Sequence, residues 1–210
     1  MRLHYVLLVI FLYAAGSLAD SLSCTHTNAH VSKNWLDMKA KCVKKLEAQV
    51  QVEIDASLTY LAMGVYFARD TVNRPGFSKF FLNAAKEERE HAIKIIEYLI
   101  MRGQLNEIKV HIKHPKPEKQ EWNSGMDALK SALDLEVSVT KDIRSIAKIC
   151  EETEKFNDYH LVDYLTVDFL DEQYKGQRDL AGKISTLGKM EGHSELGEFL
   201  FDKKLLNGEV

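Results

Sequence analysis

Glu88 and His91 lie three residues apart in the stretch NAAKEEREHAIKII, residues 83–96. At about 100° per residue, a helix over this stretch turns both toward the stripe formed by Phe81, Ala84, Ala85, Ala92, Ile95 and Leu99. A carboxylate and an imidazole one turn apart on an apolar face are costly to bury without a partner. The same intrusion recurs in three other periodic segments. Glu53 interrupts the face shared by Leu46, Val50, Ser57, Tyr60, Leu61, Gly64 and Phe67. Glu136 shares a side with Leu129, Ala132, Leu133, Thr140, Ile143 and Ala147, and Gln173 shares one with Phe169, Leu170, Leu180 and Ile184.

Each of these residues taken alone has a bland reading. An inward Glu more often sits at the edge of a stripe, and an inward His is more often a satisfied core residue. Three carboxylates, one imidazole and one amide at similar depth do not fit that reading, because like charges gathered out of water repel. No Lys or Arg lies on these stripes near that depth, so a bound metal is the economical counter-charge. Carboxylate oxygens with one nitrogen and no thiolate suit iron or manganese.

Four long helices must position this set. Helical periods run over residues 36–70, 77–101, 123–150 and 158–186 (segments A to D). TVNRPG breaks A from B, Gly103 reads as the C-cap of B, and Asn123 or Ser124 as the N-cap of C. Residues 104–121 hold Pro115 and Pro117 without a sustained period and read as a long connection. A short fifth helix, SELGEFLFDKKLL, follows Gly188 and Gly192. No alternating run is long enough for a sheet. The expected fold is all-α: a four-helix bundle with one long crossover and a short C-terminal helix. A runs antiparallel to B and C to D, while B and C are parallel. A secreted four-helix signalling factor shares this pattern.

The chain has 210 residues, 45% hydrophobic and 28% charged, which suits one domain with a sizeable core. A net charge of -3 gives no electrostatic case for nucleic acid or an anionic membrane. Arg2, the apolar run 5–13 and Ser17-Leu18-Ala19 read as a signal peptide over 1–19, cleaved after Ala19. That run is short for a membrane anchor. Residues 20–35 read as a polar extension and 36–210 as the domain. The sequence has no Asn-x-Ser/Thr sequon, so N-glycosylation is not expected.

The segments VEIDASLTYLAMGVYF, AAKEEREHAIKII, ALDLEVSV and YLTVDFLDEQYK resemble, in order, the four helices of the iron-oxidising, heavy-chain type of ferritin subunit. The resemblance runs from Met38 to the C-terminus. The leader and cysteine-bearing extension are similar to those of secreted ferritins of insects and other arthropods. The resemblance implies a ferroxidase, which oxidises Fe(II) to Fe(III) with dioxygen at a di-iron centre. Ferric iron then passes to a mineral core inside a twenty-four-subunit shell. Carried over residue by residue, Glu53, Glu88 and His91 would hold the first iron, and Glu88 would bridge the pair. Glu136, supported by Gln173, would hold the second. Tyr60 would hydrogen-bond near the pair and supply an electron. Light-type subunits lose several of these ligands, and this sequence keeps them all. Weak amide ligation by Gln173 is expected to ease product release.

The chain departs from the family pattern in two places. Glu87 and Glu90 match family carboxylates that nucleate mineral on the cavity face of the second helix, but Ile93 stands at the next acidic position. The bland alternative for this pair is a solvated helix face. Asp163 matches one acidic residue of a three-fold inlet channel, and Thr166 stands at the other. Iron entry by that route is then expected to be weaker, or a partner subunit completes the channel; the resemblance implies a light-type partner in a mixed shell.

Cys42 and Cys150 fall at helix ends that the crossover topology brings to the same end of the bundle, so a disulfide between them is expected. Free buried thiols are the alternative. Cys24, the odd cysteine, would then bond another subunit. His26, His30, His111 and His114 read as loop or extension residues without a ligand role. The expected setting is the secretory pathway, in the ER and Golgi lumen, and the exterior. Rival readings are a shell subunit without activity, a secreted signalling factor, and another di-iron oxidase on the same bundle.

Overall fold

A computed structural model describes residues 30–104, 112–113, 116–151, 157–190 and 194–210. The leader over 1–19, Cys24, His26, His111 and His114 lie outside the described residues. Two compact units are distinguished, Met1–Asn34 and Trp35–Val210. Of the first, residues 30–34 are described; His30 is exposed there, and the Asn34 amide donates to the Ser32 hydroxyl at 3.3 Å.

The second unit is helical. Its elements are α1 (Ala40–Ala68), α2 (Pro75–Met101), α3 (Gly125–Glu151), α4 (Tyr159–Tyr164), a π-helical segment (Leu165–Leu170), α5 (Asp171–Gly188) and α6 (Ser194–Asn207). No strand occurs among the described residues. α1 packs on α2 and α3, α3 on α5, and α6 on α2. Segment D is thus α4 and α5 joined through a π turn. The Thr166 hydroxyl donates to the Val162 carbonyl at 2.7 Å at the start of that turn, a back-bond that competes with the backbone ladder and bends helices. A count at 3.6 residues per turn does not see the extra residue that a π turn inserts.

The helix ends explain why the elements start where they do. Pro75 opens α2, where its missing N–H is no loss. Asp202, reaching over from α6, accepts from the Gly76 and Phe77 amides at 2.7 and 3.0 Å. A Cβ on Gly76 would meet the Asp202 carbonyl oxygen at 2.0 Å, so only glycine allows this approach. At α3, Ser124 Oγ accepts from the Asp127 amide and Asp127 accepts from the Asn123 amide, both at 3.1 Å. The bond from the Asp127 amide makes Ser124 the capping residue. Glu198, one turn before Asp202 on α6, accepts from the Gly125 amide at 2.7 Å. α6 therefore delivers two carboxylates to two helix N-termini, where the peptide dipoles favour negative charge. Gly103, at φ 71°, closes α2 in the left-handed conformation.

The long connection is pinned to α1 at two places. The Gln51 side chain bonds both backbone groups of Lys113, at 2.7 and 3.3 Å, and the Tyr66 hydroxyl donates to the Trp122 carbonyl at 2.6 Å. A Cys42–Cys150 disulfide, with Cα atoms 5.7 Å apart, ties the start of α1 to the end of α3.

The apolar core comes in two parts. One surrounds the disulfide and includes Leu46, Val50, Ile95, Leu99, Ile143, Ile146 and Leu161. The other is rich in aromatic residues, with Tyr60, Phe67, Phe77, Phe81, Trp122 and Phe201. Leu61 and Ile184 illustrate where the expected stripes and the burial differ. Leu61 is exposed, because it sits 100° around the helix from the buried Tyr60. On α5, Lys183 is buried and Ile184 only half-buried. The Lys183 stem lies in the core while its ammonium reaches Asp179 at 2.7 Å and stands 5.4 Å over the Phe80 ring.

Candidate metal centre

The buried polar residues Glu53, Ser57, Glu88, His91, Glu136, Thr140 and Gln173 come from all four long helical segments of the bundle. Glu53, Glu88 and His91 are 0%, 4% and 5% exposed. Each offers one ligand atom, and the three atoms lie within 4.8 Å of one another. One side of each group is held by a neighbour or left to the cluster. Gln49, one turn before Glu53, donates to Glu53 Oε1 at 2.8 Å. His91 Nε2 faces Glu172 Oε2 at 3.2 Å, while His91 Nδ1 faces Glu88 Oε2 at 3.6 Å. Glu53 Oε2, Glu88 Oε2 and His91 Nδ1 are buried without a hydrogen-bond partner. Buried polar atoms are rarely left unpaired, and these three are the hard and borderline donors that a divalent iron ion accepts.

The other half of the layer is hydrogen-bonded. The Tyr60 hydroxyl donates to Glu136 Oε1, joining α1 to α3. Gln173 also bonds the Glu136 carboxylate. Gln173 Oε1 accepts from the Thr140 hydroxyl at 2.8 Å, and Thr140 Oγ1 accepts from Gln177 Nε2. Ser57 donates to the Ala85 carbonyl at 2.5 Å, closing α1 on α2 beside the cluster.

The electrostatics are those of a site built for positive charge. Burial, then the charge of Glu88, holds the Glu53 carboxyl well above the usual range. Burial, then the charge of Glu88, raises Glu136 to about 7 against the hydrogen bonds from Tyr60 and Gln173. Burial works to depress His91, but Glu88, Glu172 and Glu53 outweigh it and lift the imidazole to about 9. Burial and the adjoining Glu136 push Tyr60 well above its ordinary value. Without a cation, this layer holds protons that a metal would displace.

The remaining candidates sit outside the layer. Glu87 is exposed on α2, its carboxyl raised by partial desolvation against its neighbours and by the charge of Glu172. Glu90 is exposed and lies 3.5 Å from the Lys86 ammonium. Ile93 is 47% exposed. Asp163 and Thr166 are exposed and line a surface hollow with Tyr159, His160 and Val162.

Sequence reasoning missed Glu172, Gln49 and the part played by Thr140. Gln49 carried a readable signal, a polar side chain one turn from Glu53 on the same face. Thr140 was on the inward stripe of α3 without a partner to suggest a role. Glu172 is half-exposed beside the inward Gln173 and reads as a solvated position, so periodicity carried no sign of its contact with His91.

A family model described as a ferritin-like domain matches residues 43–190. The ferritin heavy chain of Papilio xuthus is 56% identical over 189 residues, covering 89% of this chain and 90% of that one. The Drosophila melanogaster ferritin heavy chain is 54% identical over 199 residues, covering 94% and 97%. The crystal structure of Trichoplusia ni secreted ferritin superposes with a TM-score of 0.85 at 54% identity, over 90% of this chain and 100% of that chain.

Proposed function

The chain belongs to the ferritin family, and from that premise we propose that it is a ferroxidase subunit of a secreted iron-storage shell. The supporting observation is that Glu53, Glu88 and His91 each bring a ligand atom within 4.8 Å of the others, and each carries a buried atom without a hydrogen-bond partner. Fe(II) and dioxygen are the substrates. Glu53, Glu88 and His91 take the first ion, Glu88 reaches toward the second, and Glu136, supported by Gln173, receives it. Binding displaces the protons that Glu53, Glu136 and His91 hold in this buried layer. The carboxylates then favour Fe(III) over Fe(II), because they stabilise the added positive charge, and each ion gives up an electron to dioxygen. Tyr60 holds Glu136 in place and can lend a further electron. The two apolar clusters on either side keep the layer dry, which strengthens each of these interactions.

The ferric product moves to a mineral core inside the shell, with Glu87 and Glu90 as nucleating carboxylates and Asp163 at the inlet channel. The other subunits are homologous, with a light-type partner in a mixed shell of twenty-four. The leader sends the chain into the secretory lumen and out of the cell, and Cys24 bonds a neighbouring subunit. The test is aerobic addition of Fe(II) to the purified protein, following ferric-oxo absorbance, beside Glu88→Ala. Fast oxidation that the substitution abolishes is expected. Equal, slow oxidation in both would make this a structural subunit.

A further inference from the structure

Gln173 stands at the second metal position with a side chain that has two different ends. Its carbonyl oxygen can ligate a metal, and its amide nitrogen cannot. Which end faces the centre is therefore a chemical choice, and the hydrogen bonds around it make that choice.

Gln177 Nε2 donates to Thr140 Oγ1, which occupies a lone pair of that hydroxyl. The single hydroxyl proton of Thr140 is then free to point at Gln173 Oε1, 2.8 Å away. Thr140 and Gln173 are each 5% exposed, so no bulk water competes for these atoms. With Oε1 engaged on the Thr140 side, Gln173 offers its amide nitrogen to the Glu136 carboxylate, which can only accept when ionised. From Gln177 through Thr140 and Gln173 to Glu136, every donor points the same way.

We propose that Thr140 is a positioning residue that holds Gln173 Oε1 away from the second metal position, so that Gln173 serves Glu136 as a donor and not the metal as a ligand. This rests on the reading of the layer as a di-iron centre. The consequence is a second position with fewer oxygen ligands than the side chains nearby would allow. An ion held there is held less tightly and leaves more readily once oxidised.

Thr140→Val keeps the volume and removes the hydroxyl. Neither end of Gln173 then has a partner at position 140, and the metal decides the orientation. Thr140→Ser keeps the hydroxyl. Gln177→Leu, at a half-buried position, removes the donor that sets the direction and serves if Thr140→Val does not assemble. The experiment is anaerobic calorimetric titration of the assembled proteins with Co(II), together with its visible ligand-field spectrum. Thr140→Val is expected to bind the second ion roughly threefold to tenfold tighter, the range that one hydrogen bond supplies. The first ion is unchanged, and the second-ion spectrum shifts. Thr140→Ser matches wild type, Gln177→Leu moves in the direction of Thr140→Val, and adding Gln173→Leu to Thr140→Val cancels the gain. Wild-type protein that binds two ions while the Thr140 and Gln177 variants leave the second unaltered overturns the role of Thr140 alone. Wild-type protein that binds no ion in the bundle overturns the di-iron reading with it.

Discussion

The carboxylate of Glu172, at the start of α5, stands 3.2 Å from Nε2 of His91 and leaves Nδ1 as the ring atom turned toward Glu88. A metal-binding histidine is commonly oriented by a carboxylate on its other nitrogen, which fixes the tautomer and raises ligand basicity. Glu172 is half-exposed and contributes no atom to the close group of Glu53, Glu88 and His91. Its effect on that group runs through the ring. Glu172→Ala is therefore expected to weaken first-ion binding by about 10- to 100-fold, with little change at the second position. Anaerobic Co(II) titration reads both steps. An unchanged first step would show that packing alone, including the Phe169 ring 5.7 Å away, orients His91.

The metal-free protein is expected to lose stability as pH rises. Glu136 is lifted from the usual 4.5 to about 7, and His91 from 6.5 to about 9. Both raised values mean that the folded chain binds more protons than the unfolded chain between the paired values, so stability falls with pH there. The contribution is fully present below about 4.5 for Glu136 and 6.5 for His91. It is gone once pH has passed about 7 and about 9 respectively. Melts of chelator-treated protein from pH 5 to 9 should show a falling Tm, and Glu136→Gln should flatten the fall near neutrality. Metal reverses the sign, since ligands must shed protons to bind it. A Tm that rises through this window in the metal-free protein would contradict the assigned proton storage.

Much of this centre was legible because helical period and burial agree. Glu53, Glu88 and His91 interrupt stripes whose other members are apolar, and the structure buries all three. The Cys42–Cys150 bond follows from topology, since one long crossover puts the start of α1 beside the end of α3. What periodicity could not carry is any departure from 3.6 residues per turn. The π segment at Leu165–Leu170 leaves no sign of itself in such a count, although Gln173 and Leu180 beyond it are buried where the stripe put them. Caps supplied from a distant helix were equally hidden. Asp202 and Glu198 look like ordinary polar positions of a short helix, and only folding brings them to the ends of α2 and α3.

Those two carboxylates make α6 structurally consequential for the bundle. Asp202 is 1% exposed and serves two buried amides. Asp202→Ala removes this cap and strands its buried donors, so a loss of about 1–3 kcal/mol is expected. Gly76→Ala should be at least as damaging, because its methyl would lie 2.0 Å from a backbone oxygen that cannot swing away. Chemical denaturation of dissociated subunits measures both. A loss below about 1 kcal/mol for Asp202→Ala would show that α6 docks through its apolar contacts with Phe77 instead.

Iron uptake offers the last test, because the proposed inlet carries one carboxylate where two are expected. Asp163 and Thr166 are both exposed on the same hollow, and Thr166 turns its hydroxyl back to the Val162 carbonyl. It therefore presents no charge to an arriving cation. A ring of carboxylates raises the local concentration of cations and their arrival rate, and salt screens the effect. Thr166→Glu should speed Fe(II) oxidation at low iron and low ionic strength, and Asp163→Asn should slow it severalfold. Both differences should shrink in high salt, and neither should alter oxidation when Fe(II) is in excess. Stopped-flow absorbance at two salt concentrations separates these cases. Equal rates for Asp163→Asn and wild type at low salt would mean that iron reaches the centre by another path, and the hollow at Asp163 would lose its assigned part in uptake.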